Sequence, residues 1–213
     1  MQPSQQRREE EKQRRHEEIL DAAEQVFCER GFDAATMDDV ALRARVSRAL
    51  VYVYFRDKRA LHLAICRRAL NQLRRLFQEA VQRHERGRDQ LLAVGRAYME
   101  FARSYPAYFQ ALSRFEATEA GAPDDEDPAH SETMAAGRCV HEVTVAAIEQ
   151  GMRDGSLRAD IENPMQIAMT MWGFTHGVLQ IAQHKGSVIQ NGGVTTTAFV
   201  DDALALAVRS VEP

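Results

Sequence analysis

The sequence predicts an all-α protein of about nine helices, and three observations carry that prediction. Apolar residues recur at helical spacing through most of the 213 residues. No run alternates apolar and polar residues as a half-buried strand does. Gly, Pro, Asp, Asn, Ser and Thr fall where helices begin and end. An apolar share of 45% is ordinary for a chain with a real core.

In chain order, Ile19, Ala22, Ala23, Val26 and Phe27 form the first apolar stripe, and Gly31 follows as a stop. Upstream, Arg7, Arg8, Lys12, Arg14 and Arg15 are interrupted by Glu9, Glu10 and Glu11. That mixture reads as a solvated helix start rather than a basic minor-groove arm. Thr36 opens a short helix with Asp39 three residues on, the spacing of a capping box. Ser47 is placed to cap a second short helix reaching Tyr54 or Phe55. Asp57 caps a long one whose stripe is Leu61, Ile65, Leu73, Leu76, Phe77, Ala80 and Val81, with Gly87 as its end.

The rest continues in helices. One runs from about Asp89 to Ser104, and Pro106 opens another. Gly121 to Asp127 is acidic, contains Pro and lacks periodicity, so it reads as an exposed loop. Asp127-Pro128 suits the first positions of a helix reaching about Arg153, with Gly155 beyond it. Asn163-Pro164 repeats the signal for a helix stopped by Gly186. Gly186 to Thr195 reads as a polar loop, and Thr196 to Ser210 as the last helix. Residues 1–60 are expected to form one domain, with its core at 17–58, and residues 61–213 a second.

Charge is divided unequally. Residues 1–88 hold 19 Arg/Lys against 14 Asp/Glu, a net of +5, and residues 89–213 hold 8 against 17, a net of −9, which together give −4. A basic front suits phosphates. Asn163 to His184 carries no Asp, Glu, Lys or Arg, but Gln166, Thr170, Thr175, His176, Gln180, Gln183 and His184 make it too polar for a lipid-facing span. It reads as a helix buried on most of its sides, with no membrane as partner. The polar run after Met1 argues against a secretory signal, so the expected location is cytoplasmic.

No catalytic site is expected. Cys28, Cys66 and Cys139 are odd in number and lack metal-ligand spacing. Cys139 lies near His141, and His176 is further on, but no third group specifies a nucleophile. There is no Gly-rich phosphate loop, no HExxH and no GxSxG. The expectation is therefore no enzyme, no metal and no cofactor.

The informative feature is the helix pair Thr36–Ala44 and Ser47–Tyr54. Val40, Ala41, Ala44, Val46, Val51 and Tyr54 stand where two crossing helices touch, and Ala41 is small enough for close approach. Such a helix-turn-helix leaves its second helix exposed, and a helix fits the B-DNA major groove. From Phe27 to Leu61 the text F-C-E-R-G-F, A-T-M-D-D-V-A and V-S-R-A-L-V-Y-V-Y-F-R-D-K-R-A-L resembles the TetR family of transcription regulators. M-W-G-F-T-H-G-V-L from Met171 is similar, more loosely, to that family's penultimate helix.

The resemblance implies a homodimer on an inverted-repeat operator in double-stranded DNA. It also implies a pocket for a small-molecule effector in the C-terminal domain, and release from DNA when the effector binds. By position it puts Thr36, Ser47, Tyr52, Tyr54 and Lys58 at phosphates or in orienting the helix, and Arg48, Ala49, Tyr52 and Val53 near base edges. Arg45 occupies a turn position where the family often has Gly. A left-handed conformation there costs about 1–2 kcal/mol, which a phosphate contact by Arg45 offsets. Ala49 and Leu50 also depart from common family residues.

Tyr98, Phe101, Tyr105, Tyr108, Phe109 and Phe115 lie within eighteen residues, and with Met134, His141, Met169 and Trp172 they are candidates for the wall of an apolar or aromatic effector's pocket. Gly173 and Gly177, with Val178 and Ile181, are candidates for a dimer interface built from 164–184 and 196–210. The alternative is a DNA-binding dimer whose C-terminal bundle only dimerises or docks a partner protein.

Overall fold

The computed structural model describes residues 3–118 and 127–213. Among these are ten α-helices and no strand: α1 (Pro3–Ala34), α2 (Met37–Ala44), α3 (Arg48–Tyr54), α4 (Lys58–Val81), α5 (Gly87–Ser104), α6 (Pro106–Thr118), α7 (Pro128–Asp154), α8 (Pro164–His184), α9 (Gly186–Asn191) and α10 (Thr196–Arg209). The expected acidic loop lies, but for Asp127, outside the described residues. The described residues form two compact units, one of 3–69, 107–118 and 127–133, the other of 70–106 and 134–213.

The first unit is organised by α1. Its charged start stays helical, with Arg14 paired to Glu11 and Glu18 and Arg15 to Glu18. Ile19, Ala23 and Val26 then enter a core with Val40, Val51, Phe55, Leu61 and Ile65. Gly31 breaks the helix at φ 76°, a conformation that costs an L side chain dearly. This unit also takes in α6 and the first turns of α7, which the sequence reading assigned to the second domain. Tyr108 and Ala111 pack on the core. The buried Asp127 carboxylate accepts from Arg56 at 2.6 Å and Arg59 at 2.7 Å, and Thr133 donates to the Leu63 carbonyl at 3.3 Å.

The second unit is built on Leu91, Ile148, Leu157, Ile161, Ala168, Val208 and Val211. Three expectations are corrected in it. Gly87 does not end the long helix, which stops at Val81; it opens α5. A Cβ at Gly87 collides with the backbone of Gly151 and the Ala147 carbonyl, so glycine there serves close approach of α5 to α7. The Gly87 N–H donates to Asp154 at 2.8 Å. Next, the polar loop after Gly186 contains a short helix, α9. Val188 and Ile189 N–H close its first turn on the Lys185 carbonyl, and buried Ile189 anchors it.

Third, α8 is less enclosed than expected. Ala168, Thr175, His176, Val178 and Leu179 are buried, whereas Met169, Thr170, Gly173, Phe174 and Ile181 are exposed. Nothing lies within 4 Å of a Cβ built at Gly173 or Gly177. The chain by itself leaves this apolar, small-residue face uncovered. No helix among the described residues is long and apolar enough to cross a membrane.

Candidate nucleic-acid interface and effector site

The helix pair forms as its cap residues dictate. The Thr36 hydroxyl accepts from the Asp39 N–H at 3.2 Å, and the Thr36 N–H donates to the Asp39 carboxylate at 3.0 Å, a complete capping box. At the other end of α2 Arg45 takes the left-handed conformation, φ 56° and ψ 42°. Its N–H and that of Val46 close on the carbonyls of Leu42 and Ala41 at 3.2 and 3.0 Å, reversing the chain in one tight turn. Ser47 then caps α3, its hydroxyl accepting from the Leu50 N–H at 3.2 Å.

Burial divides α3 into two faces. Val51 is fully buried, Tyr54 packs partly buried on the core, and Phe55 follows in the core. Ser47 and Arg48 at the N-terminal end of the helix are exposed, as are Ala49, Tyr52 and Val53, the last at 75%. Tyr54 meets the His16 ring edge-on at 6.4 Å, so its aromatic body belongs to the core.

Thr36 and Arg45 are exposed beside this face. Lys58, expected at a phosphate, directs its ammonium to the carbonyls of Phe32, Asp33 and Ala35 at 2.8, 3.1 and 2.9 Å. Its three donors are thus matched by three acceptors, and a phosphate has to displace one of them. Sequence reasoning missed Asp38, whose carboxylate accepts from Arg48 at 3.0 Å across the turn. Two charges ten residues apart carry no local signal; the turn brings them together.

The ten effector-pocket candidates divide between the units. In the first, Tyr108 donates to Glu24 at 3.1 Å and Phe109 and Phe115 are buried. Burial, with Glu24 next to it, pushes the Tyr108 hydroxyl up to about 12. In the second, Tyr98 and Phe101 are buried and stack at 6.4 Å, Phe101 stacks on Tyr105 at 5.7 Å, and Trp172 lies 5.5 Å from His141 and 5.9 Å from His176. The Tyr98 hydroxyl is 2.7 Å from His176 Nδ1, and Gln180 Nε2 is 2.8 Å from the other ring nitrogen. Burial holds both His141 and His176 below the ordinary imidazole range. Tyr105, Met134 and Met169 are instead exposed, at 37%, 44% and 50%, Met169 on the open face of α8.

A helix-turn-helix with its second helix presented to solvent, joined to a further helical unit, defines the helix-turn-helix DNA-binding regulators as the class. Comparison with known proteins gives the family. Residues 19–65 match "Bacterial regulatory proteins, tetR family", and residues 91–207 match "Tetracyclin repressor-like, C-terminal domain". The chain belongs to the TetR family of transcriptional regulators. It is 36% identical over 84 residues to the HTH-type transcriptional activator FasR of Mycolicibacterium smegmatis, covering 39% of this chain and 38% of that one. It is 45% identical over 53 residues to the HTH-type transcriptional repressor BepR of Brucella suis, covering 25% of each. These matches span less than two fifths of the relatives' length. The fold resembles that of the Bacillus subtilis regulator FadR in complex with stearoyl-CoA, with a TM-score of 0.68 and 15% identity over 92% of this chain and 98% of that one.

Proposed function

We propose that the protein is a homodimeric repressor that binds an inverted-repeat operator through residues 17–58 and is released by a small apolar or aromatic effector. The observation that carries the DNA half is the exposed face of α3, with Arg48, Ala49, Tyr52 and Val53 outward while Val51 and Phe55 hold the helix to the core. Thr36, Arg45, Ser47 and Tyr52 supply hydroxyls and a cation for phosphates, which fix register. Arg48 forks onto a guanine edge, and Ala49 and Val53 meet thymine methyls.

The uncovered face of α8 supports the dimer. Gly173 and Gly177 admit a close helix from a second copy and exposed Ile181 flanks them, with exposed Leu206 on α10 adding apolar area; Val178, expected at the interface, is instead buried within its own chain. The effector reading rests on the aromatic cluster of buried Tyr98 and Phe101 with half-buried Trp172, and the polar pair Tyr98–His176 inside it. Stearoyl-CoA bound to the similarly folded FadR is in keeping with an apolar effector. Coupling runs along α4, whose residues 58–69 belong to the first unit and 70–81 to the second. An effector shifts DNA affinity only by its differential affinity for the two states.

A second reading has its own support: Tyr98 and Phe101 are 3% and 0% exposed and already stacked, as in a bundle that only dimerises or docks a partner. A thermal-shift screen with hydrophobic and aromatic compounds separates the two. An effector at 100 times its Kd adds about 2.7 kcal/mol of stability, and the same compound must then weaken binding to operator DNA. Failure of every compound on both counts leaves the second reading. A promoter reporter fixes the sign of regulation.

A further inference from the structure

We infer that Asp38, on α2 and outside the recognition helix, is a specificity-determining residue that positions Arg48 for a guanine of the operator. The inference rests on the DNA-binding reading above and goes beyond it.

Arg48 does not extend freely into solvent. Its Nη1 donates to Asp38 Oδ2 at 3.0 Å, and its guanidinium carbon lies 5.6 Å from the centre of the Tyr52 ring. One contact comes from the preceding helix and one from the next turn of its own, so the planar group is fixed from two directions. Asp38 occupies one terminal nitrogen and leaves the guanidinium with donors for the adjacent O6 and N7 acceptors of a guanine.

Two simpler explanations of the pair fall short. As a stability device it is weak, because both partners are about 60% exposed and solvent-exposed ion pairs contribute little. Asp38 also sits in the first turn of α2, where any carboxylate suits the helix dipole, but that does not require Arg48 as its partner. As an affinity device it works in the wrong direction, since a carboxylate beside the DNA-facing arginine repels phosphates. What remains is orientation. An arginine held before binding loses less side-chain freedom on the correct base, and discriminates against a base that lacks paired acceptors.

The test selects bound sequences from random DNA with the full-length wild type, Asp38→Asn and Arg48→Ala. The selected guanine is then replaced by 7-deazaguanine, which lacks the N7 acceptor. Wild type should enrich a guanine column that Arg48→Ala loses. Asp38→Asn should weaken the guanine preference by about 3- to 10-fold, with melting temperature lowered by no more than about 4 °C and non-specific DNA bound as tightly or more tightly. Its penalty for 7-deazaguanine should shrink as well, and Asp38→Glu should restore part of both. An intact guanine preference in Asp38→Asn overturns the inference, as does parallel loss of specific and non-specific binding. If wild type enriches no sequence at all, the DNA-binding reading itself fails, which is a separate result.

Discussion

The Lys58 ammonium donates to the carbonyl of Phe32 at 2.8 Å and lies 4.6 Å from the centre of that residue's ring. With the Asp33 and Ala35 carbonyls it gathers the end of α1 and the link to α2 onto the start of α4. Hydrogen bonds to a charged group contribute about 1.5–3 kcal/mol. Lys58→Met should therefore lower stability by about that amount in urea unfolding. It should leave the salt dependence of DNA affinity unchanged, whereas loss of a phosphate contact lowers the slope of log K against log salt by about 0.9. A shallower slope with full stability returns Lys58 to the phosphates.

Arg45 holds the turn between α2 and α3 at φ 56°. Arg45→Gly should stabilise the protein by about 1 kcal/mol, the left-handed strain relieved less the extra unfolded-state entropy of glycine. If Arg45 also touches a phosphate, the same variant binds all DNA sequences more weakly. Guanidinium unfolding and salt-dependent DNA titrations read the two effects separately.

The glycines of the second unit should separate by location. Gly151→Ala forces a methyl onto the Leu157 side chain and costs about 1–3 kcal/mol in overpacking. Gly177→Arg meets open space within the chain, so the fold should persist while light scattering at micromolar concentration shows monomer. An unchanged dimer in Gly177→Arg removes α8 from the interface.

Acid should weaken the second unit through its buried imidazoles. Burial lowers the pKa of His141 and His176 from the ordinary 6.5. Between the lowered values and 6.5 the unfolded chain binds more protons than the folded one, so stability falls as pH falls through that window. His141→Phe, beside Trp172, should reduce the loss of melting temperature between pH 7 and pH 5.5. An identical loss in the variant assigns the effect elsewhere.

Much of this was legible because its determinants are local. Thr36 with Asp39, Ser47 and Asn163 announce helix starts through their own side chains, and the structure closes all three caps. Gly31 and Gly155 announce breaks, and both adopt positive φ. Gly87 misled because a glycine required for close approach to Gly151 looks the same in sequence as one that ends a helix. Ile189 carries α9 through burial, which a stretch of Gly, Ser and Asn conceals. Among the candidates, exposure of Ala49 and Val53 follows from the 3.6-residue helical period, which puts them on the far side of the helix from Val51. The partners of Lys58 and Arg48, and the division of the aromatics between two units, depend on tertiary placement that spacing does not encode.

We propose that the α2–α3 pair reads DNA as one half of a symmetric dimer. Selection of bound sequences from random double-stranded DNA by the purified wild-type protein tests it most directly. The expected result is an enriched inverted repeat whose half-sites are one helical turn, about 34–36 Å, apart or a multiple of it, each with a guanine that depends on Arg48. An enriched pool without symmetry, or no enrichment over the starting library, contradicts it.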